Sequence, residues 1–315
     1  MHQWKIHSDR VMQIDVLLFD AFSALCLANS IEPLRAANSF VRRGYAWRFV
    51  SLDGAPVCSS SGMRLTPDAA LQDCKGDMLI VMPSYQFVEH DTKIVRTLLR
   101  AAALRYGRVA GFDTGSWLLA SAGLLDGCRA TIHWDALAQF EETFPAVDVL
   151  REDFVIDQDR VTCRGAQTAF DLMLSIIAGT HGTSVRLDVA DLLGAGSGET
   201  SAPVPLAKSR TVSKAVALMQ ANLEEPLTIR DLARHVGRSQ RDLLYQFRQE
   251  FGASPNAVYR HLRLNRCRKL VEETEIPVSE IAVRSGYQNT AAMTRAFRTA
   301  FDETPQSLRR KQRNA

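Results

Sequence analysis

The chain has 315 residues, 46% of them apolar and 23% charged, with a net charge of +3. These are globular proportions, and the length suggests about two domains. The longest apolar runs, such as DMLIVMP at 77–83, fall far short of the roughly 20 residues that span a bilayer, which excludes a helical membrane protein.

The opening MHQWKIHSDR lacks a signal-peptide core, so a cytoplasmic protein with no membrane partner is expected. VMQIDVLLF (11–19) reads as a first strand, and 23–40 as a helix interrupted at Pro33. AWRFVSL (46–52) is a second strand, and 77–82 a strand buried on both faces. Residues 90–105 read as a helix with Ile94, Leu98, Ala101 and Ala102 at helical spacing. A short strand at 109–112 runs into Asp113 and a helix at 116–122. A late hairpin (154–156 with 160–163) and closing helices at 166–178 and 184–193 complete the part. Alternating strands and helices predict an α/β domain over 11–193, a doubly wound and mainly parallel sheet. Sites in such sheets lie beyond the carboxyl ends of strands, where Asp113 stands.

LLGAGSGETSAPVPLAK (192–208) breaks the periodicity, and 194–208 reads as a linker. Charge changes sign across it. Residues 1–207 carry 18 basic and 24 acidic side chains, residues 208–315 carry 20 and 11, so the halves stand at −6 and +9. A basic second half points to nucleic acid.

Residues 209–312 show almost no strand pattern and contain a repeat. DLARHVG (231–237) matches EIAVRSG (280–286) at an offset of 49, and FRQEFGASP (247–255) matches FRTAFDETP (297–305) at 50. The extra residue is expected in the second turn, near Gln288. Each copy has a small helix residue (Ala233, Ala282), a turn glycine (Gly237, Gly286) and a polar cap (Ser239, Asn289). Two phenylalanines four apart then face inward, and a proline follows. The segment between, 258–273, reads as an amphipathic helix with Leu262, Cys267 and Leu270 inside and its arginines outside. A plain helical bundle is the alternative. Two helix-turn-helix units on one connecting helix suit adjacent turns of a major groove.

This half resembles the AraC/XylS family of bacterial regulators through LTIRDLARHVGRS, LLYQFRQEFGASPNAVYRHLRLNRCRKLV, IPVSEIAVRSGYQN and FRTAFDETPQSLRR. The resemblance implies recognition helices at 239–251 and 289–301. It assigns DNA contacts to Ser239, Gln240, Arg241, Tyr245 and Arg248, and to Asn289, Thr290, Ala291, Thr294, Arg295 and Arg298. Arg266 and Lys269 then fall to phosphate or solvent. Promoter DNA and RNA polymerase are the implied partners.

The first half resembles the class I glutamine amidotransferase-like (ThiJ/PfpI) fold, as joined to an AraC-type domain in the GlxA-type branch. The matching runs are IEPLRAAN, SSGMRLTPD, GFDTGSWLLASAGLLDGCRATIHWDAL and RGAQTAFDLMLSII. In the enzymes of this group the elbow residue is a nucleophilic cysteine; here it is Asp113, matched with His133 and Glu32. A carboxylate cannot replace a thiolate in that chemistry, so no catalytic residue is expected. Two readings of Asp113 stay open. It accepts local backbone N–H groups, or with Glu32, Thr114 and His133 it binds a cationic nitrogen metabolite against Trp117 or Trp134. His133 equally suits a core position.

Of the cysteines (26, 58, 74, 128, 163, 267), none forms a C-x-x-C pair. Reduced thiols and no metal or other cofactor are expected, with Cys163 a buried structural thiol. The reading is a homodimeric, one-component regulator, more an activator than a repressor by resemblance, that responds to a small effector. The rivals are an active amidase or glyoxalase-type enzyme with a DNA-binding tail, and a first domain that only dimerises.

Overall fold

A computed structural model describes residues 10–41, 43–194, 209–301 and 303–313. Two compact units divide the chain, the first ending at Val189 and the second beginning at Ala190. All but the first residue of the expected linker lies outside the described residues.

The first unit opens with β1 (Met12–Leu18), α1 (Ala24–Asn38) and β2 (Tyr45–Ser51). A small hairpin, β3 (Val57–Cys58) with β4 (Arg64–Leu65), precedes β5 (Ala69–Ala70) and β6 (Gly76–Met82). Next come α2 (Phe87–His90), α3 (Lys93–Ala103), β7 (Tyr106–Phe112) and α4 (Gly115–Ser121). β8 (Arg129–Ala130), α5 (Leu137–Thr143) and β9 (Asp148–Val149) lead to β10 (Phe154–Asp157), β11 (Arg160–Cys163) and α6 (Ala166–Leu192).

The main sheet has seven strands in the order β10-β11-β7-β6-β1-β2-β5, and only β10 runs antiparallel. β1, β6 and β7 are buried along consecutive residues, so both faces are covered. Asp15, in the middle of β1, is fully buried because Arg48 clasps it with Nε (2.8 Å) and a terminal nitrogen (2.6 Å) while the Tyr106 hydroxyl donates at 2.6 Å.

Two helix expectations need correction. α1 is not interrupted at Pro33. The proline removes one ladder bond, yet Ile31, Leu34 and Ala37 keep one face continuously buried, and Ser23 caps the start. In α3 the buried residues are Val95, Leu99 and Ala102, while Ile94 is 72% exposed. The apolar stripe is broad enough for two phases, and packing selects the one that includes Val95. The two expected closing helices are both present within α6, parted by a break at Gly182 (φ 88°, ψ 165°).

Asp91 joins these layers. It accepts from Arg96 Nε (2.7 Å), Trp117 Nε1 (3.1 Å) and Ser121 Oγ (2.6 Å). Burial alone would push its carboxyl up; the bonds from Arg96, Ser121 and Trp117 outweigh that and hold it below its usual range. A depressed folded value stabilises above the unfolded value, near 4, and that stability drains as pH falls through the folded one. Asp91→Asn is therefore expected to cost about 1–3 kcal/mol at neutral pH. Its melting temperature should approach the wild type's as the pH falls through the folded value. A constant gap in acid would refute the assignment.

The second unit comprises α7 (Arg210–Ala221), α8 (Ile229–His235), α9 (Gln240–Phe251), α10 (Pro255–Glu273), α11 (Val278–Arg284), α12 (Thr290–Phe301) and α13 (Pro305–Arg313). Ala233 and Ala282 are buried at the helix crossings, as are Phe247 and Phe297, each beside a second ring, Phe251 or Phe301. Between α8 and α9 lie residues 236–239, and between α11 and α12 residues 285–289, so the extra residue does sit in the second turn. Leu262, Cys267 and Leu270 of α10 are buried, but its arginines do not all face out. Arg263 folds back onto the Ser285 and Gly286 carbonyls.

Candidate functional site

The corner after β7 is built by two glycines around Asp113. A Cβ on Gly111 would lie 2.5 Å from the Ser116 nitrogen, and one on Gly115 would overlap the Val81 carbonyl oxygen. The chain turns so sharply that Asp113 adopts φ 61°, a left-handed conformation uncommon outside glycine, asparagine and aspartate. Ala21, Ser84 and Gln86, also at positive φ, lie in loops after β1 and β6 at the same end of the sheet. Such strain clusters where a fold has been held for a task.

A cavity of about 250 Å³ opens at this corner. Asp113, Thr114, His133 and Asp135 line it together with Ser84, Tyr85, Gln86, Phe87, Ala136 and Gln139. Burial pushes the Asp113 carboxyl above its ordinary value, against the pull of His133 and of the nearby Ser84 hydroxyl. Backbone bonds hold the pair in register: His133 N–H donates to the Asp113 carbonyl (3.1 Å), and Asp113 N–H to the Cys163 carbonyl (3.0 Å). Gly165, at φ 147°, packs beside both side chains, and a Cβ there would meet the His133 ring at 3.4 Å and Asp113 Oδ1 at 3.9 Å, ordinary contact distances. Ser84 is buried, and its hydroxyl has the Asp113 carboxyl as its neighbour. Thr114 is spent differently, its hydroxyl donating to the Ser84 carbonyl at 2.5 Å.

Three expected pocket residues are elsewhere. Glu32 does not face Asp113. Its side chain is half exposed and pairs with Arg35 at 2.7 Å, because Ser30, Ile31 and Leu34 take the inner side of α1. Trp117 is buried against Phe140, Phe144 and the lining residue Phe87 and bonded to Asp91, one ring behind the cavity wall. Trp134 is 65% exposed beside the His133 ring and does not line the cavity. The missed residues are Ser84–Phe87, Asp135 and Gln139. The run PSYQF follows the apolar strand β6 directly, so the rule that singled out Asp113 would have found it too.

The thiols near the corner are inert. Burial pushes Cys163 up to about 12, and Cys26 is raised by burial, then by Cys163 and Asp113. Neither supplies a thiolate at neutral pH.

In the second unit, Ser239 Oγ accepts from the Asp242 N–H (3.1 Å), and Asn289 Oδ1 from the Ala292 N–H (2.7 Å), so both cap their helices. Gln240, Arg241, Tyr245 and Arg248 are exposed along α9, as are Ala291, Arg295 and Arg298 along α12, with Thr290 and Thr294 half-buried. Other arginines are committed internally: Arg234 to Asp231, Arg238 to Asp242, Arg268 to Glu272 and Arg284 to Glu280. Arg241, Arg248, Arg295 and Arg298 make no ion pair or side-chain hydrogen bond with another described residue. Four uncommitted guanidinium groups on two matching helix faces form a surface for an anionic polymer.

Comparison with known proteins agrees with both halves. Residues 16–179 match the DJ-1/PfpI family, and residues 232–311 match a helix-turn-helix domain. The chain is 33% identical over 298 residues to the HTH-type transcriptional regulator CdhR of Pseudomonas aeruginosa, covering 92% of this chain and 89% of that one. It is 33% identical over 318 residues to the HTH-type transcriptional regulator GlxA of Rhizobium meliloti, covering 96% and 97%. The crystal structure of an AraC family transcriptional regulator from Pseudomonas putida superposes on 58% of this chain and 99% of its own, with a TM-score of 0.52 and 25% identity. Among the described residues no helix is long and apolar enough to cross a membrane. A DJ-1/PfpI-type α/β domain followed by paired helix-turn-helix units, shared end to end with such relatives, makes this chain a DNA-binding transcriptional regulator of the GlxA-like branch of the AraC/XylS family.

Proposed function

We propose that the α/β unit is a non-catalytic sensor for a small nitrogen-containing cation, and that its occupancy biases a cytoplasmic homodimer between promoter-bound arrangements that engage RNA polymerase, activating transcription. Ser239, Gln240, Arg241, Tyr245 and Arg248, with Asn289, Thr290, Thr294, Arg295 and Arg298, are the proposed DNA-facing residues. The observation that carries the sensor reading is the buried Asp113 carboxyl, held at a tight corner beside the buried Ser84 hydroxyl in a cavity of metabolite size. A carboxyl raised by burial gains most from a cation, which restores its charged form and releases its proton. Asp135 adds a second acid to the lining, and Tyr85 offers an aromatic face where Trp117 and Trp134 do not. Asp113 in place of an elbow thiol, with both nearby thiols protonated, supports sensing over turnover.

Thermal unfolding of the full chain with choline, putrescine and agmatine tests this. A ligand at 100 times its Kd should raise the melting temperature by about 5 °C or more. Asp113→Ala should abolish the shift and leave DNA affinity of the free protein unchanged. An equal shift in the variant, or none with any organic cation, would sink the reading, and the latter would favour a unit that only dimerises.

A further inference from the structure

The two helix-turn-helix units are held differently. At the first turn, Gly237 (φ 69°) has nothing within 4 Å of the place a Cβ would take. At the second, a Cβ on Gly286 (φ 73°) would lie 2.5 Å from the Leu223 carbonyl oxygen and 2.6 Å from Pro226 Cγ. Leu223 and Pro226 belong to the loop between α7 and α8, which leads into the first helix-turn-helix. The turn of the second helix-turn-helix therefore rests directly on the entrance to the first.

α10 ties both segments from one face. Arg263 Nε donates to the Ser285 carbonyl (2.8 Å) and a terminal nitrogen donates to the Gly286 carbonyl (2.5 Å), with the guanidinium 4.2 Å above the Tyr287 ring. One turn earlier, the Tyr259 hydroxyl accepts from the Leu227 N–H (3.1 Å) and donates to the Asn222 carbonyl (2.6 Å). The last carbonyls of a helix lack intrahelical partners and carry partial negative charge. A planar fork serves two of them at once while its face stacks on the tyrosine. No side chain among the described residues donates to the corresponding carbonyls of the first turn, Val236 and Gly237.

We propose that Arg263 is a positioning residue: by clamping the Ser285–Gly286 turn to α10 and to the α7–α8 loop, it fixes the second recognition helix relative to the first, so that the chain engages DNA at one spacing. Neither the ligand pocket nor Asp113 enters this inference.

The test uses the full chain and a duplex selected by the wild-type protein from a random pool, with its two contacted segments mapped by footprinting. Inserting one or two base pairs between those segments should weaken wild-type binding by about tenfold or more. Arg263→Ala should bind the parent duplex about tenfold more weakly, yet lose only about threefold on insertion, because the second unit is free to follow its segment. Arg263→Lys keeps one donor and should recover part of both effects. Gly286→Ala pushes the same turn off Leu223 and Pro226 and should flatten the spacing dependence with Arg263 intact. A purely structural role would lower the melting temperature but leave the ratio of affinities across the duplexes at its wild-type value. That ratio in any of the three variants that folds would overturn the proposal, and so would a uniform loss on every duplex.

Discussion

Gly115→Ala is expected to destabilise the α/β unit by about 3 kcal/mol or more, the upper end of what overpacking costs. The added methyl would overlap the Val81 carbonyl oxygen, which is backbone in the central strand β6 and cannot swing away as a side chain would. Relief requires moving α4 off the sheet, and α4 is buried from Gly115 to Ala120. At about 2–4 °C per kcal/mol, the melting temperature should fall by roughly 10 °C. Gly127→Ala is the control. Its φ is positive (71°), unlike that of Gly115, but nothing lies within 4 Å of the new atom, so it should cost only about 1–2 kcal/mol. A Gly115→Ala protein that melts within about 2 °C of the wild type would show that the corner yields, and Asp113 would lose its claim to a fixed position.

The same corner explains what the sequence conveys and what it hides. Strands such as 77–82 and the repeated A-x-x-x-G and F-x-x-x-F spacings are legible because burial and turn chemistry act on neighbours a few residues apart. Side-chain direction across the pocket is not. Trp117 lies four residues after Asp113, which on a continuous helix would share its face. Asp113, however, is in the left-handed region before α4 begins, so the helical phase does not extend back to it. Glu32 fails for a related reason: an acidic residue on α1 points wherever Ser30, Ile31 and Leu34 leave it. Ser84 and Gln86 are marked only by their place just after β6, and their positive φ is not written in the sequence. Arg263 reads as one more exposed cation in an arginine-rich helix. Its partners are carbonyls 22 and 23 residues away, with no side-chain pattern to announce them.

In the DNA-binding unit the larger effect should come from Arg295 and Arg298. Both are exposed on α12, one turn apart, and neither is engaged by an acid of the protein, unlike Arg284 with Glu280 just upstream. A guanidinium forked onto a guanine edge is worth about 1–3 kcal/mol of discrimination, so Arg295→Ala with Arg298→Ala should weaken binding to a selected duplex by about 10²–10⁴-fold. Binding to a scrambled duplex should fall far less. Arg266→Ala, on the exposed side of α10, should instead weaken both duplexes alike and lower the salt slope by about 1, as for a phosphate contact. Titrations at several salt concentrations separate the two. If the α12 pair lost selected and scrambled duplexes equally, with a salt slope reduced by about 2, these arginines would be phosphate anchors, and base reading by the second unit would fall to Thr290, Ala291 and Thr294. Specificity and affinity would then reside on different side chains of one helix. That arrangement would suit a chain whose second unit is already set by Arg263, since a helix held at fixed spacing needs only short side chains to read the bases it is brought against.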